Sequence, residues 1–349
     1  MDPRTRRQAD DLLRRCRAGL DATTLRREVL QRLRRIVPID AGFFATIDPA
    51  TLLFTSAVSE DPLIEASSRF LANELEGKDV NRFVDIAAAT IPVRWLDQVT
   101  LGRRHDSARY SSIMRPLGLG DELRVALRSG ETCWGVMCLH REDGSSGFND
   151  REAAIIADLA PHIAEGLRRA TLIAGFETAA APARHGVVVL DADACVVSMN
   201  EAAERWLAEI AEEDWSTGGE VPLPILSAAL AVADPDDEEA DAPTIRVRTI
   251  NGSWLAIHAS RLFGTASDQT VVVLDPAEPG ELFSLILDAH GITPRQARVV
   301  ALVLRGYSTQ QIVNELHISS HTVQEHLKAV FDKLGVRSRR ELAATLLHR

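Results

Sequence analysis

The 349-residue chain is 46% hydrophobic and 26% charged, close to the globular average, which excludes wholesale disorder and fibrous repeats and leaves room for two or three domains. Its net charge of −11 is unevenly divided: residues 1–37 carry 11 Arg against 5 acids, residues 38–283 carry 19 basic against 40 acidic residues, and residues 284–349 carry 9 against 5. Only the two ends are basic, so a polyanionic partner is excluded for the middle and open for the ends.

Apolar residues at Leu12, Leu13, Cys16 and Leu20, then Leu25, Val29, Leu33 and Ile36, recur at helical spacing with arginines opposite, so residues 1–37 read as a helical segment ended by Pro38. Two apolar runs over 43–57, broken by Asp48-Pro49, predict a hairpin, and 122–128 with 132–140 predict a second around Ser129-Gly130-Glu131. Asn149 then caps a helix of roughly 25 residues with Ile155, Ile156, Leu159, Ile163 and Leu167 on one stripe. A compositional break at 179–186 precedes strand, turn and strand (187–200), a helix, an acidic loop with six acids in 234–241, and a three-stranded meander (244–250, 253–262, 269–275). Residues 275–281 read as a Pro/Gly linker, and no internal repeat is visible.

Beyond the linker the pattern is all helical. Thr293-Pro294 with Gln296, Ser308 with Gln311, Ser319-Ser320, and Ser338 with Glu341 each open a helix. In the third of these, Val323, Leu327, Val330, Phe331 and Leu334 commit one face to a core. His321, Gln324, Glu325, Lys328 and Asp332 then face outward together. A short helix, a tight turn and a second helix with a hydrogen-bonding outer face form the helix-turn-helix arrangement that enters the major groove of double-stranded DNA. Gln suits adenine there, Lys guanine and Glu cytosine.

The elements Thr293-Pro294-Arg295, Gly306-Tyr307-Ser308, Ile318-Ser319, His321-Thr322-Val323, Phe331-Asp332-Lys333-Leu334 and Gly335-Val336-Arg337-Ser338-Arg339 resemble, over about 55 residues, the LuxR-type (FixJ/NarL-like) DNA-binding domain of bacterial transcription regulators. The resemblance implies base reading by Gln324, Glu325 and Lys328, with His321 on the same face. It also implies phosphate contacts by Thr322, Lys333, Arg337 and Arg339, and a homodimer contact through Leu342 and Leu346. Those two leucines equally suit a domain core. Family members usually carry a basic residue at the position of Gln324 and a small or apolar one at that of Glu325, so this chain departs at both.

Upstream, the only Lys before residue 328 is Lys78, which argues against a phosphorylated receiver. Two tyrosines argue against an acyl-homoserine-lactone pocket, and no Gly-Lys-Ser/Thr loop supports an ATP-driven module. Residues 38–178 resemble a GAF-type domain and residues 183–276 a PAS-type domain, an order similar to that of actinobacterial regulators. The expected fold class is therefore multidomain α+β: GAF-like and PAS-like antiparallel-sheet domains, then an all-α four-helix LuxR-type domain at 284–349. The expected function is transcription control by an unidentified small-molecule effector. Control by a protein partner, or a sensor enzyme with an accessory DNA-binding end, are the alternatives.

Trp95, Arg124 and Trp134 are the candidate ligand residues, with core packing, or for Arg124 the solvent side of a hairpin, as the competing reading. His105, His140, His162 and His258 have no Cys or carboxylate partners at metal spacing, and Cys133 and Cys138, five apart in one strand, are expected on opposite faces. No metal site, disulfide, cofactor or catalytic residue is therefore expected. Without a signal peptide or an apolar run long enough to span a membrane, the expectation is a cytoplasmic protein with no membrane partner.

Overall fold

The computed structural model describes residues 2–75, 78–176, 185–210, 221–232, 243–262 and 269–347. The acidic run 234–241, the turn 264–268 and most of the break at 179–186 lie outside them.

The N-terminal stripe forms two helices, α1 (Pro3–Cys16) and α2 (Ala22–Ile36), instead of one. Gly19 takes a left-handed conformation at φ +70°, and the Asp21 carboxylate accepts from Thr24 N at 2.8 Å to start α2. The first sheet is built from β1 (Ala41–Ile47), β2 (Phe54–Ser59), β3 (Val93–Trp95), β4 (Leu119–Ser129) and β5 (Thr132–Glu142), in the order β2-β1-β5-β4-β3. Between β2 and β4 lie the short α-helices α3 (Ser67–Leu75), α4 (Phe83–Ala88) and α5 (Leu96–Thr100). After β5 comes α6 (Asp150–Ala174), 25 residues long and opened by a capping box of Asn149 and Glu152. It covers one face of the sheet together with α1 and α2.

The face assignments depend on one irregularity. On β5, Gly135 pairs with Leu127 and Cys133 with Arg128, so Trp134 is the extra residue of a bulge. The bulge flips the alternation. Cys133, Val136 and Cys138 share a core on one face, whereas Trp134, Met137 and Leu139 join the core under α6. The expectation that Cys133 and Cys138 point to opposite faces is thus overturned, because strict alternation fails across a bulge. Both thiols are buried and free.

A second five-stranded antiparallel sheet has β6 (Gly186–Leu190), β7 (Val196–Met199), β8 (Thr244–Arg248), β9 (Trp254–Leu262) and β10 (Gln269–Pro276) in the order β7-β6-β10-β9-β8. It repeats the strand order of the first sheet, a repetition of topology that the sequence does not display. Among the described residues two helices belong to it: α7 (Glu201–Ile210) and α8 (Leu223–Ala231). Leu223 to Ala229 are all buried, as an apolar helix requires when it packs on every side. It lies against β2 and α3 on one side and β8, β9 and β10 on the other, so the two sheets share a core through it.

Residues 275–281 are no linker: β10 ends at Pro276, and α9 (Pro279–Ala289) starts at once, with Glu278 N donating to the Glu281 carboxylate at 2.7 Å. Glutamates three apart around a proline are a helix start, which outweighs the Pro/Gly composition. Helix α9 packs on α6. After it follow α10 (Pro294–Leu304), α11 (Thr309–Leu316), α12 (Ser320–Leu334) and α13 (Arg339–Leu347), whose core is continuous with that beneath α6.

Candidate functional site

Helices α10, α11 and α12 begin where their caps place them. Thr293 accepts from Gln296 N, Ser308 from Gln311 N and Ser319 from Thr322 N. Between α11 and α12, His317 turns the chain in a left-handed conformation at φ 53°, and Gly335 closes α12 in the same region. Val323, Leu327 and Val330 are buried, whereas His321, Gln324, Glu325, Lys328 and Asp332 are exposed. The outward face is therefore one contiguous polar surface. His321 Nε2 lies 3.3 Å from the Glu325 carboxylate, one turn away on that surface.

The flanking basic residues divide into two sets. Lys333 donates to Gly291 O at 2.6 Å and to Gln296 Oε1 at 2.9 Å, which ties α12 to the start of α10. Arg339 donates to Tyr307 O and Thr309 Oγ1, both at 2.8 Å, and so ties α13 to the start of α11. Arg337 and Arg340 are exposed, and Thr322 is half-buried with its hydroxyl 2.9 Å from that of Ser319. Leu342 and Leu346 are 0% and 1% exposed within the helical core. Their apolar surface lies inside the domain, in keeping with the core reading that the sequence offers beside a dimer contact.

A second candidate site lies on the first sheet, on the face away from α6. A pocket there is walled by Phe43, Phe54, Phe70, Phe83, Leu63 and Leu71, with Leu223 of α8 at one side. Its floor is polar: Glu74, Arg124, Cys138 and His140. Arg124 is 3% exposed, donates to Glu74 at 2.7 Å and lies 3.8 Å over the Phe83 ring. The solvent-side expectation for Arg124 is overturned, because its partner Glu74 comes from α3, which covers this face.

Two family models match this chain. The one described as bacterial regulatory proteins, luxR family, covers residues 290–346, and the GAF domain model covers residues 21–167. The chain carries a GAF domain and a luxR-family regulatory domain. Over 50 residues it is 40% identical to the HTH-type transcriptional regulator MalT of Yersinia pestis (strain Pestoides F), which is 14% of this chain and 6% of that relative's length. Among solved structures, the GAF domain of A. aeolicus nlh2 covers 47% of this chain and 96% of its own at 14% identity and a TM-score of 0.33. Escherichia coli SdiA covers 97% and 96% at 11% identity and a TM-score of 0.34. Among the described residues no helix is long and apolar enough to cross a membrane.

Within the GAF domain, the candidate ligand residues separate. Arg124 lines the aromatic pocket. Trp134 lines a wider cleft between the GAF domain and the second sheet, and Trp95 is buried in the core beneath α6. The sequence reading also missed a constellation: the side chains of Glu122, Cys138 and His140 converge, with candidate ligand atoms within 4.8 Å of one another. The expectation that His140 has no Cys or carboxylate partner is corrected here. Cys138 and His140, two apart on a strand, were the available signal; Glu122 enters only through the pairing of β4 with β5.

The electrostatics of this group are set by burial and two arginines. Burial alone would raise the Glu122 carboxyl, but Arg109 and Arg124 hold it down at about 2. Arg109 donates to Glu122 through Nε at 2.9 Å, with Nη2 at 2.8 Å. Burial, helped by the same arginines, lowers His140 to about 4, so its imidazole is neutral at pH 7. Burial pushes the Cys138 thiol up to about 12.

Proposed function

We propose that this protein is a sequence-specific DNA-binding transcription regulator that acts as a homodimer and takes its input from a small molecule held by the GAF domain. The observation that carries the reading is the contiguous polar face of α12, exposed and flanked by basic residues, on a luxR-family domain. Gln324, Glu325, Lys328 and His321 would face base edges in the major groove, and Thr322 and Arg337 the phosphates. Lys333 and Arg339 would add charge toward the backbone while keeping their helices in register.

The pocket supports the input side. Four phenylalanines give it apolar walls, and the buried arginine, glutamate and histidine of its floor offer a few placed polar groups, the usual makeup of a small-molecule site. We read residues 183–276 as a PAS-like unit that relays the input, because its helix α8 borders the pocket and its sheet contacts α9.

Selection of binding sites by the full chain from a random-sequence duplex library tests the DNA reading. One enriched motif with half-site symmetry is expected; recovery of unenriched sequence would refute it. Native mass spectrometry of the purified chain tests the input: a small-molecule mass lost on denaturation supports it.

A further inference from the structure

Glu122 on β4 sits directly opposite His140 on β5 in the sheet register, and Cys138 lies two residues before His140 on the same face. A carboxylate, a thiol and an imidazole are thereby fixed on two paired strands inside the sheet. All three residues are buried.

Two polar atoms in this group lack hydrogen-bond partners among the described residues although both are buried: Glu122 Oε1 and His140 Nδ1. The side-chain nitrogens that approach Glu122 Oε1, Arg124 Nε at 3.7 Å and His140 Nε2 at 3.8 Å, are beyond hydrogen-bond distance. An ionised carboxylate oxygen left in this way is costly, and something of positive charge would relieve it.

Charge balance points the same way. Arg109 and Arg124 are set against Glu74, Asp79 and Glu122, two basic side chains against three acidic ones in one buried cluster. Loss of the Cys138 proton would add a further negative charge, which a divalent ion offsets.

We propose that Glu122, Cys138 and His140 hold a divalent first-row transition metal of the zinc or iron(II) class at the floor of the GAF pocket. The donor set selects this class, because a thiolate and an imidazole suit zinc, iron or cobalt while magnesium and calcium prefer all-oxygen shells. Cys138 gives up its thiol proton to solvent as its sulfur bonds to the metal, and His140 binds through an unprotonated ring nitrogen. Arg109, bonded to the other carboxylate oxygen, orients Glu122 from behind. Three protein ligands leave coordination positions open, and since Cys138 and His140 line the pocket, those positions face its aromatic interior. A small donor molecule entering there would complete the metal's shell. Metal binding itself requires nothing of the DNA interface or of the effector reading.

The test is a titration of the full chain, first freed of metal with a chelator, using cobalt(II) as the probe. The expected result is a thiolate-to-cobalt charge-transfer band that saturates at one equivalent per chain. Cys138→Ser should abolish the band, and His140→Gln should weaken cobalt binding at least about tenfold. Cys195→Ser, which removes the exposed thiol, should change neither. Absence of the band in the unmodified chain overturns the proposal, whatever the variants do to folding. So does a band that survives Cys138→Ser, or one that disappears with Cys195→Ser.

Discussion

Asp48, in the turn after β1, and Arg246, on β8, form a buried ion pair across the boundary between the two sheets. Asp48 Oδ2 accepts from Arg246 Nε at 2.7 Å and from its backbone N at 2.9 Å, and Oδ1 accepts from Nη2. The third guanidinium nitrogen reaches onward, donating to Glu281 O at 3.1 Å and Ser284 Oγ at 2.6 Å on α9. One side chain thus joins the GAF domain, the second sheet and the helix that leads into the DNA-binding unit.

Removing one partner strands the other in the interior, so Asp48→Ala should cost about 3–5 kcal/mol. The double variant Asp48→Ala, Arg246→Met should cost less than the sum of the singles, since it removes the stranded charge as well. Urea unfolding of the four proteins checks this. Strict additivity would mean that the pair does not couple the units.

The burial of Leu342 and Leu346 yields a stability prediction. Buried between α13 and its neighbours, Leu342→Ala should destabilise the helical domain by about 2–5 kcal/mol through lost burial and the cavity left behind. Thermal unfolding reads this directly. A variant with unchanged stability but weaker self-association would assign Leu342 to a dimer surface.

The helical domain was legible because its signals are local. Thr293, Ser308 and Ser319 announce their helices within three residues, and the spacing of Val323, Leu327 and Val330 fixes which face turns outward. Helix α8 was not legible, because a short run that is apolar on all sides has no period to read. The pocket floor was hidden for a different reason. Arg124 finds Glu74 from 50 residues away, and Glu122 meets His140 only through a strand register that the sequence leaves open. The bulge at Trp134 then reverses which residues share a face, a change that no alternation rule anticipates.

Glu165 gives a pH prediction. Its carboxylate accepts from Arg168 Nε at 2.8 Å and Nη2 at 2.7 Å, from Arg169 at 2.9 Å and from Ser129 at 3.0 Å. Hydrogen bonds from Arg168 first, then Arg169, hold it at about 2, against burial that would raise it. Arg168 in turn donates to Ala289 O at the end of α9. A carboxyl held below its ordinary 4.5 contributes its stability in full above that pH and loses it as pH falls toward 2. Glu165→Gln should therefore be less stable than the unmodified chain at pH 7, with the gap narrowing between pH 4.5 and pH 2. Urea midpoints at several pH values check it, and a gap independent of pH would assign the loss to packing.

The roles proposed on and beside α12 make opposite predictions for two residues. Gln324 is exposed on the outer face with an amide that can pair with one base, so Gln324→Ala should relax preference at a single position per half-site by about 1–3 kcal/mol. Arg337 lies exposed past the end of α12, and its proposed role is to meet phosphate without reading a base. Arg337→Ala should weaken binding to every sequence alike and reduce the salt dependence of the logarithm of the binding constant by about 1 per subunit, because one fewer counterion is released. Anisotropy titrations of the full chain on the selected duplex and on single-base variants, across a range of salt, separate the two. Should Gln324→Ala lose affinity uniformly, or Arg337→Ala change the preferred base, α12 would not lie in the major groove in the orientation proposed.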